Sequence, residues 1–143
     1  MGTATLPTSS QRIDEARRRK VSLLCLPELC ITGYGCEDAF YSAAVCNMAQ
    51  QMLGEILART KGMAVSVGLP LMHSGALYNV SAMLIDGRIA GLVAKQHLAG
   101  DGPHYEPRWF KPWPASVIAK ISLAGCQIPL GDLMFDFEGI RVG

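Results

Sequence analysis

The chain has 143 residues, which is the size of one domain and leaves no room for a second. Half of the residues are hydrophobic and 17% are charged, so the composition favours a folded core and excludes the disordered class. The net charge of +1 gives no indication of a nucleic-acid or membrane surface. No stretch approaches about 18 uninterrupted apolar residues, so no transmembrane helix is expected.

A helix followed by a buried strand is predicted at the start of the chain. Residues 8–10, Thr-Ser-Ser, supply N-cap candidates for a helix over residues 11–20. Residues 21–26 form a continuous apolar run that Pro27 closes, and this pattern favours a strand buried on both faces. Such a strand implies a layered α/β domain. A loop rich in glycine and aromatic residues is predicted at residues 29–41.

The middle of the chain predicts one more helix and three strands. The helix is expected over residues 42–60, where apolar residues recur at helical spacing, namely Val45, Met48, Met52 and Ile56. Residues 63–69 predict another buried strand, stopped by Pro70. Residues 77–85 and 88–95 predict a hairpin, because an Asp-Gly turn signal lies between them.

A long segment at residues 96–114 is rich in Gly, Pro, His and aromatic residues. Loops of this length are usually functional or disordered, and its aromatic residues favour an ordered, functional one. Trp109, Phe110 and Trp113 fit an aromatic binding wall, packing that anchors the loop, or an oligomer contact, and these alternatives stay open. Residues 133–142 predict a last hairpin that turns at a Glu-Gly pair.

Two ionisable residues stand where predicted strands end. Glu28 follows the first strand through Pro27, at the rim where ligand sites of α/β domains form. Lys95 closes a hairpin strand after an apolar run, so we expect it to be partly buried and to need an anionic partner such as Glu28. On position alone, a structural ion pair is favoured over a catalytic pair by roughly two to one.

The residues around both positions resemble the motifs of the nitrilase superfamily of carbon-nitrogen hydrolases. Residues 27–34, Pro-Glu-Leu-Cys-Ile-Thr-Gly-Tyr, are similar to its glutamate motif. Residues 95–98, followed by 104–110, are similar to its lysine motif with the downstream Glu-x-Arg-x-Phe. The resemblance implies an α/β fold, as part of the α-β-β-α sandwich of nitrilases.

A narrower resemblance is to the glutaminase domain of glutamine-dependent NAD synthetases, carried by residues 33–38 and 95–102. It implies that residues 1–143 are a partial carbon-nitrogen hydrolase domain with glutamine as substrate and a homo-oligomeric state. The ammonia released in that family reaches a C-terminal synthetase domain, which converts deamido-NAD to NAD. ATP and Mg²⁺ are implied only for that domain, which we expect to be absent here, and no cofactor is implied for residues 1–143.

The resemblance also implies residue roles. A cysteine thiolate attacks the amide carbon and releases ammonia, and water then hydrolyses the thioester. Glu28 matches the general base and acid, and Lys95 matches the group that stabilises the oxyanion. Glu106 matches a second glutamate that orients the lysine or the substrate, with an exposed loop carboxylate as its alternative. Tyr34 and Tyr105 lie in the matching motifs and are expected to support the site.

The nucleophile itself is not expected in this chain. In the family it lies a few residues beyond a strand like residues 139–143, in an Ile-Cys-Glu-Asp motif. Residues 1–8 do not resemble the family's first strand, so truncation at both ends and an inactive isolated chain are expected. No cysteine present follows a strand in the required place, among Cys25, Cys30, Cys36, Cys46 and Cys126.

The five cysteines also bear on compartment and metals. Their odd number, with several in apolar runs, favours a reducing cytoplasmic setting over a disulfide framework. Cys25 is predicted inside the buried first strand, and His73 on the surface of a hairpin loop. No metal is expected, because zinc-type pair spacing is absent among the candidates Cys30, Cys36, His97 and His104.

Two other functions stay open. Another carbon-nitrogen hydrolase, such as an amidase, nitrilase or carbamoylase, would share Glu28 and Lys95 but usually lacks the Gly-Tyr-Gly-Cys-Glu-Asp stretch of residues 33–38. A degenerate gene fragment would have no activity. Such a fragment would expose unpaired sheet edges and apolar faces, which predicts poor solubility or obligate association.

Overall fold

The computed structural model describes residues 8–103 and 105–143. Its regular elements in chain order are α1 (Ser9–Arg18), β1 (Leu23–Cys25), a 3₁₀ segment (Tyr34–Tyr41), α2 (Ala43–Leu57), a 3₁₀ turn (Ala58–Thr60), β2 (Ala64–His73), β3 (Ala76–Ile85), β4 (Arg88–Ala94), a second 3₁₀ turn (Glu106–Arg108), β5 (Ile118–Leu123), β6 (Cys126–Gly131), β7 (Phe135–Phe137) and β8 (Ile140–Val142). The predicted mixed α/β class is confirmed. The helices described are too short or too polar to cross a bilayer.

A six-stranded sheet in the order β1-β2-β3-β4-β6-β5 forms the centre of the domain. β1 pairs with β2 and β4 with β6 in parallel, and the other neighbours are antiparallel. The β7–β8 hairpin lies over β4, since a Cβ added at Gly91 would lie 2.7 Å from Leu133 Cδ1 and 3.1 Å from the Phe135 ring. The order of layers matches part of the predicted sandwich, with helices on one face of the sheet and a second, two-stranded sheet on the other.

Every second residue of the central strands faces the helices and is buried against them. Val65 and Val67 of β2 and Ala82 of β3 lie in one apolar cluster with Ile13 of α1 and Leu53 of α2. Because side chains alternate along a strand, the residues between them face the other way. They include the small or polar residues Ser66, Gly68 and Ser81. This second face is where the site is built.

Both predicted helices are present, and α2 buries only part of the apolar set whose spacing predicted it. Thr8 caps α1 in a capping box with Gln11, as its sequence indicates. In α2 the buried residues are Cys46, Ala49, Leu53 and Ile56. Of the four apolar residues whose spacing predicted the helix, Ile56 is buried, Val45 is partly buried, and Met48 and Met52 are exposed.

Two strand predictions are corrected by the sheet, together with the expected positions of Cys25 and His73. β1 has only three residues and is the edge strand of the described sheet, so it is partly exposed and so is Cys25. β2 continues through Pro70, which pairs with β3 on one side. β1 has already ended at the level of Ser66, so the missing N–H of Pro70 disrupts no ladder on the other side. His73 lies in β2 and packs its ring against Tyr78 and Trp113.

The hairpins were partly predicted. The β3–β4 turn at Asp86-Gly87 has two positive φ angles, 48° and 78°, and the predicted β7–β8 hairpin is also present. The β5–β6 hairpin and the 3₁₀ segment at Tyr34–Tyr41 were missed, whereas the hairpin loop expected beside His73 is present as the tight β2–β3 turn. Of the three roles considered for the aromatic residues of the long segment, packing that anchors the loop agrees with the burial of Phe110 and Trp113 in the core.

Candidate active site

Glu28 and Lys95 meet at one end of the sheet, where β1 and β4 terminate, and their pairing was predicted from the sequence. The Lys95 ammonium lies 2.6 Å from Glu28 Oε1 and 3.0 Å from the Glu106 carboxylate. The Glu28 side chain is 41% exposed and that of Lys95 is 30% exposed, whereas Glu106 is 1% exposed. One ammonium therefore bridges an accessible carboxylate and a buried one.

Glu28 is positioned by a sharp turn that packs directly on β2. The next residue, Leu29, is fully buried and adopts a positive φ of 50°. A Cβ added at Gly68 of β2 would lie 2.3 Å from Leu29 N and 3.0 Å from Glu28 C, closer than non-bonded atoms can approach. Gly68 is thus required for the backbone of Glu28 to rest on the strand, although the sequence alone does not distinguish it from other glycines.

Gly68→Ala is expected to destabilise the chain by about 1–3 kcal/mol, because the added methyl group overpacks against the Leu29 backbone. Urea unfolding followed by tryptophan fluorescence measures this. Gly54→Ala is the matched control, since Gly54 lies in α2 with open space around it and alanine favours a helix. An unfolding free energy for Gly68→Ala equal to that of the unsubstituted chain would contradict this account of the turn.

Lys95 is held by the backbone on both sides. Its N–H donates to Asn79 O at 2.9 Å, and its carbonyl accepts from Trp113 N–H at 3.0 Å. Burial lowers the pKa of Lys95, but the hydrogen bonds to Glu28 and Glu106 outweigh it and the net pKa is raised. Lys95 is therefore a fully charged ammonium at neutral pH.

Asn79 is a member of the site that sequence reasoning missed. Its Nδ2 donates to Glu28 Oε1 at 2.6 Å, and the residue is buried in β3. Asn79 and Lys95 thus converge on the same carboxylate oxygen, and in the described part of the chain Oε2 of Glu28 accepts no hydrogen bond. The available signal was an amide side chain inside the apolar run of residues 77–85.

Glu106 is a buried carboxylate, so its alternative as an exposed loop residue is wrong. It accepts from Ala99 N–H at 2.7 Å and from the Tyr34 hydroxyl at 3.1 Å, in addition to Lys95. Burial raises the pKa of Glu106, but these three donors outweigh it and the net pKa is lowered. Burial, and then the hydrogen bond to Glu106, raises the pKa of Tyr34 to about 12.

One predicted site residue stays apart from this hydrogen-bonded set. Tyr105 precedes Glu106 in the chain, but its side chain is exposed, and its role in the site stays a prediction. His104 lies outside the described residues. In the ranges 8–103 and 105–143, no three His, Cys, Asp or Glu side chains are grouped so that they hold a metal ion.

A cavity of about 320 Å³ opens beside Glu28 and Lys95, which is the size of a small-ligand site. It is lined by Leu26, Pro27, Glu28, Gly68, Asn79, Val80, Ser81, Val93 and Lys95, a set without a cysteine. Larger open cavities lie along α1 and β1 and beside Gln96 and Leu133, and neither has Glu28 in its lining. The cavity of about 320 Å³ is lined by both Glu28 and Lys95 and is therefore the candidate active site.

The family profile described as "Carbon-nitrogen hydrolase" matches residues 3–143. The chain belongs to the carbon-nitrogen hydrolase family. This confirms the resemblance drawn from the glutamate and lysine motifs. The structure of a carbon-nitrogen hydrolase from Helicobacter pylori is similar in fold, with a TM-score of 0.61 at 21% identity over 75% of this chain and 39% of that chain.

Several proteins that are more similar in sequence to this chain than the Helicobacter pylori hydrolase are glutamine-dependent NAD(+) synthetases. It is 38% identical over 105 residues to the one from Saccharomyces cerevisiae, covering 72% of this chain and 15% of that protein. A putative one from Schizosaccharomyces pombe is 34% identical over 143 residues, covering 92% and 20%. The crystal structure from Cytophaga hutchinsonii has a TM-score of 0.89 at 40% identity, covering 94% and 23%. The chain therefore spans about a fifth of the length of these relatives.

Proposed function

We propose that this chain is the part of a glutamine amide hydrolase that holds the general base Glu28 and the oxyanion-stabilising Lys95. The ammonia feeds an ATP-dependent synthetase domain that converts deamido-NAD to NAD. The observation that carries the proposal is the 2.6 Å contact of Glu28 and Lys95 beside the cavity. The names of the similar synthetases support glutamine as the substrate.

In the proposed reaction, Glu28 moves the protons. Asn79 and Lys95 occupy its Oε1, so Oε2 is the oxygen that takes the proton of the attacking thiol. The same oxygen then protonates the departing nitrogen, which leaves as ammonia when the carbon–nitrogen bond breaks. In the second half, Oε2 takes a proton from water as the hydroxide adds to the thioester, and the thiol leaves with that proton.

Lys95 stabilises the negative charge that develops on the substrate oxygen in both tetrahedral intermediates. It can do so only as an ammonium, and its raised pKa keeps it in that form. Glu106 instead stabilises the ammonium of Lys95, and it does not line the cavity. Two carboxylates around one ammonium leave the site with a net charge of −1 before substrate binds.

The nucleophile in this proposal comes from outside residues 1–143. Cys25 and Cys126 are exposed and Cys46 is buried in α2, and none of these lines the cavity. Cys30 Sγ contacts the backbone of Gly68 and Cys36 Sγ that of Thr32. Glutamine, the synthetase domain and further copies of the chain are the proposed partners, in the cytoplasm.

The isolated chain is expected to release no ammonia from glutamine above the rate in buffer. A coupled ammonia assay at neutral pH measures this, with Glu28→Gln as the matched variant. Equal, background rates for both proteins are the expected result. Turnover that Glu28→Gln abolishes would show that the nucleophile lies within residues 1–143.

A chimera tests the glutaminase role itself. The segment of the Cytophaga hutchinsonii synthetase that matches this chain is replaced by this chain, at 40% identity and a TM-score of 0.89. We expect NAD formation from either glutamine or added ammonia. A chimera that uses ammonia but not glutamine would favour a degenerate fragment. Hydrolysis of other amides in place of glutamine would favour an amidase, nitrilase or carbamoylase ancestry.

A further inference from the structure

The segment that follows Glu28 interlocks with the segment that carries Glu106. The Asp38 carboxylate accepts two hydrogen bonds from the Arg108 guanidinium, Nε to Oδ1 and Nη2 to Oδ2, each 2.9 Å long. It also accepts from the Trp109 indole N–H at 3.0 Å. The Arg108 guanidinium, and then the indole N–H, hold the pKa of Asp38 below its usual range. We call these three residues the clasp.

Apolar and backbone contacts surround the clasp. Phe40 is buried, and its ring centroid lies 6.0 Å from that of Trp109 and 5.0 Å from that of Phe110. The Tyr41 hydroxyl donates to the carbonyl of Arg108. Residues 38–41 therefore contact residues 108–110 through an ion pair, hydrogen bonds and aromatic packing.

Residues 108–110 belong to one hydrogen-bonded turn with Glu106. The amides of Trp109 and Phe110 both donate to Glu106 O at 2.9 Å. Arg108 lies two residues from Glu106 in the same 3₁₀ turn. A displacement at Arg108 therefore moves the Glu106 carboxylate relative to Lys95, Tyr34 and Ala99.

Backbone strain lies immediately before residues 38–41. Glu37 has φ 47° and ψ −127°, a conformation that a residue with a side chain rarely adopts. It immediately precedes Asp38 and lies between the Tyr34–Glu106 contact and the clasp. Such strain persists only where the surrounding contacts hold the chain in place, and here they do so from both sides.

We infer that Asp38 is a positioning residue that acts through Arg108 and Trp109 to seat Glu106 beneath Lys95. The clasp is itself too open for a large effect on stability, since the Asp38 and Arg108 side chains are 63% and 54% exposed. Its effect is on geometry. The catalytic meaning of the inference rests on the proposed function, whereas the seating of Glu106 is measurable without turnover.

Nuclear magnetic resonance of the ¹⁵N-labelled chain tests the inference. The sequence has two tryptophans, and the Trp113 indole donates to Val117 O, so its resonance is an internal reference for that of Trp109. The Ala99 amide donates to Glu106 Oε2, so its shift during an acid titration follows the protonation of Glu106. The Trp109 indole resonance therefore reports on the clasp, and the Ala99 amide resonance reports separately on the Glu106 carboxylate.

In Asp38→Asn we expect the Trp109 indole resonance to move while that of Trp113 stays. The midpoint of the Ala99 titration should rise, because Glu106 loses part of the hydrogen bonding that lowers its pKa. Hydrogen exchange at Ala99 should become roughly fivefold faster. Arg108→Lys, which keeps the charge but not the two-pronged contact, should give the same direction with a smaller shift.

Glu15→Gln is the matched control, because Glu15 also pairs with two arginines on the surface but lies on α1, away from Glu106. It should leave both the Ala99 midpoint and the Ala99 exchange rate unchanged. The inference is overturned if Asp38→Asn and Arg108→Lys shift the Trp109 indole while the Ala99 midpoint stays at its original value. In the chimera, failure of glutamine use with an intact Ala99 response would count against the proposed function alone.

Discussion

In the chimera, Glu28→Gln is expected to lower glutamine-dependent NAD formation by about 10²–10⁴-fold, the usual contribution of a general base. Ammonia-dependent NAD formation should stay unchanged, because the synthetase domain receives its substrate directly. The amide side chain that the substitution introduces at position 28 keeps the shape of the glutamate side chain. Its oxygen still accepts from Asn79 Nδ2 and Lys95 Nζ, as Glu28 Oε1 does, but an amide cannot take up the thiol proton.

The ratio of the two activities is the measurement, since it cancels differences in expression and folding. Glu55→Gln in α2 is a suitable control, because Glu55 is an exposed glutamate on the helix layer and outside the cavity beside Glu28. Its ratio should equal that of the unsubstituted chimera. A Glu28→Gln chimera that keeps the full glutamine-dependent rate would remove Glu28 from the proton transfers and return the pair with Lys95 to a structural role.

The second large effect is on stability. Lys95→Met is expected to destabilise the chain at neutral pH by about 3 kcal/mol, because it leaves the Glu106 carboxylate buried without its cation. The loss lies at the low end of the range for broken buried pairs. Glu106 keeps two other donors, Ala99 N–H and the Tyr34 hydroxyl, and Lys95 is itself 30% exposed.

This destabilisation should depend on pH in a definite direction. The pKa of Glu106 is lowered in the folded chain, so its stabilising contribution is present above its unfolded pKa and lost as pH falls through the folded one. Without Lys95, burial dominates and raises that pKa, so acid relieves the penalty. The pKa of Lys95 is raised, so its contribution is complete at neutral pH and is lost only as pH rises through its folded value.

Urea unfolding at about pH 7 and about pH 4 measures the difference between the two proteins, which should shrink on acidification. Lys120→Met in β5 is the control, since Lys120 is an exposed strand lysine with no ion pair in the part of the chain that is described. Its effect should stay within about 0.5 kcal/mol at both pH values. A deficit for Lys95→Met that does not change with pH would show that Glu106 is not the group left unpaired.

Local features were predictable where residues close together in the sequence determine the conformation. The Asp-Gly and Glu-Gly pairs specify tight turns, because their positive φ angles suit strands that twist, and both hairpins form there. Thr8 caps α1 by hydrogen bonds within one turn. The motifs around Glu28, Lys95 and Glu106 lie within a few residues of each position, so resemblance identified the family from them.

The pair of Glu28 and Lys95 was predictable from the sequence, but their environment was decided only by the tertiary structure. Asn79 lies 51 residues from Glu28 and Asp38 lies 70 from Arg108, so only strand register and loop packing bring them together. The need for glycine at position 68 arises from a backbone that crosses β2 at van der Waals distance. The face that α2 buries, which includes Ala49 and Leu53 but not Met48 or Met52, is likewise decided by tertiary packing and not by the spacing of apolar residues alone.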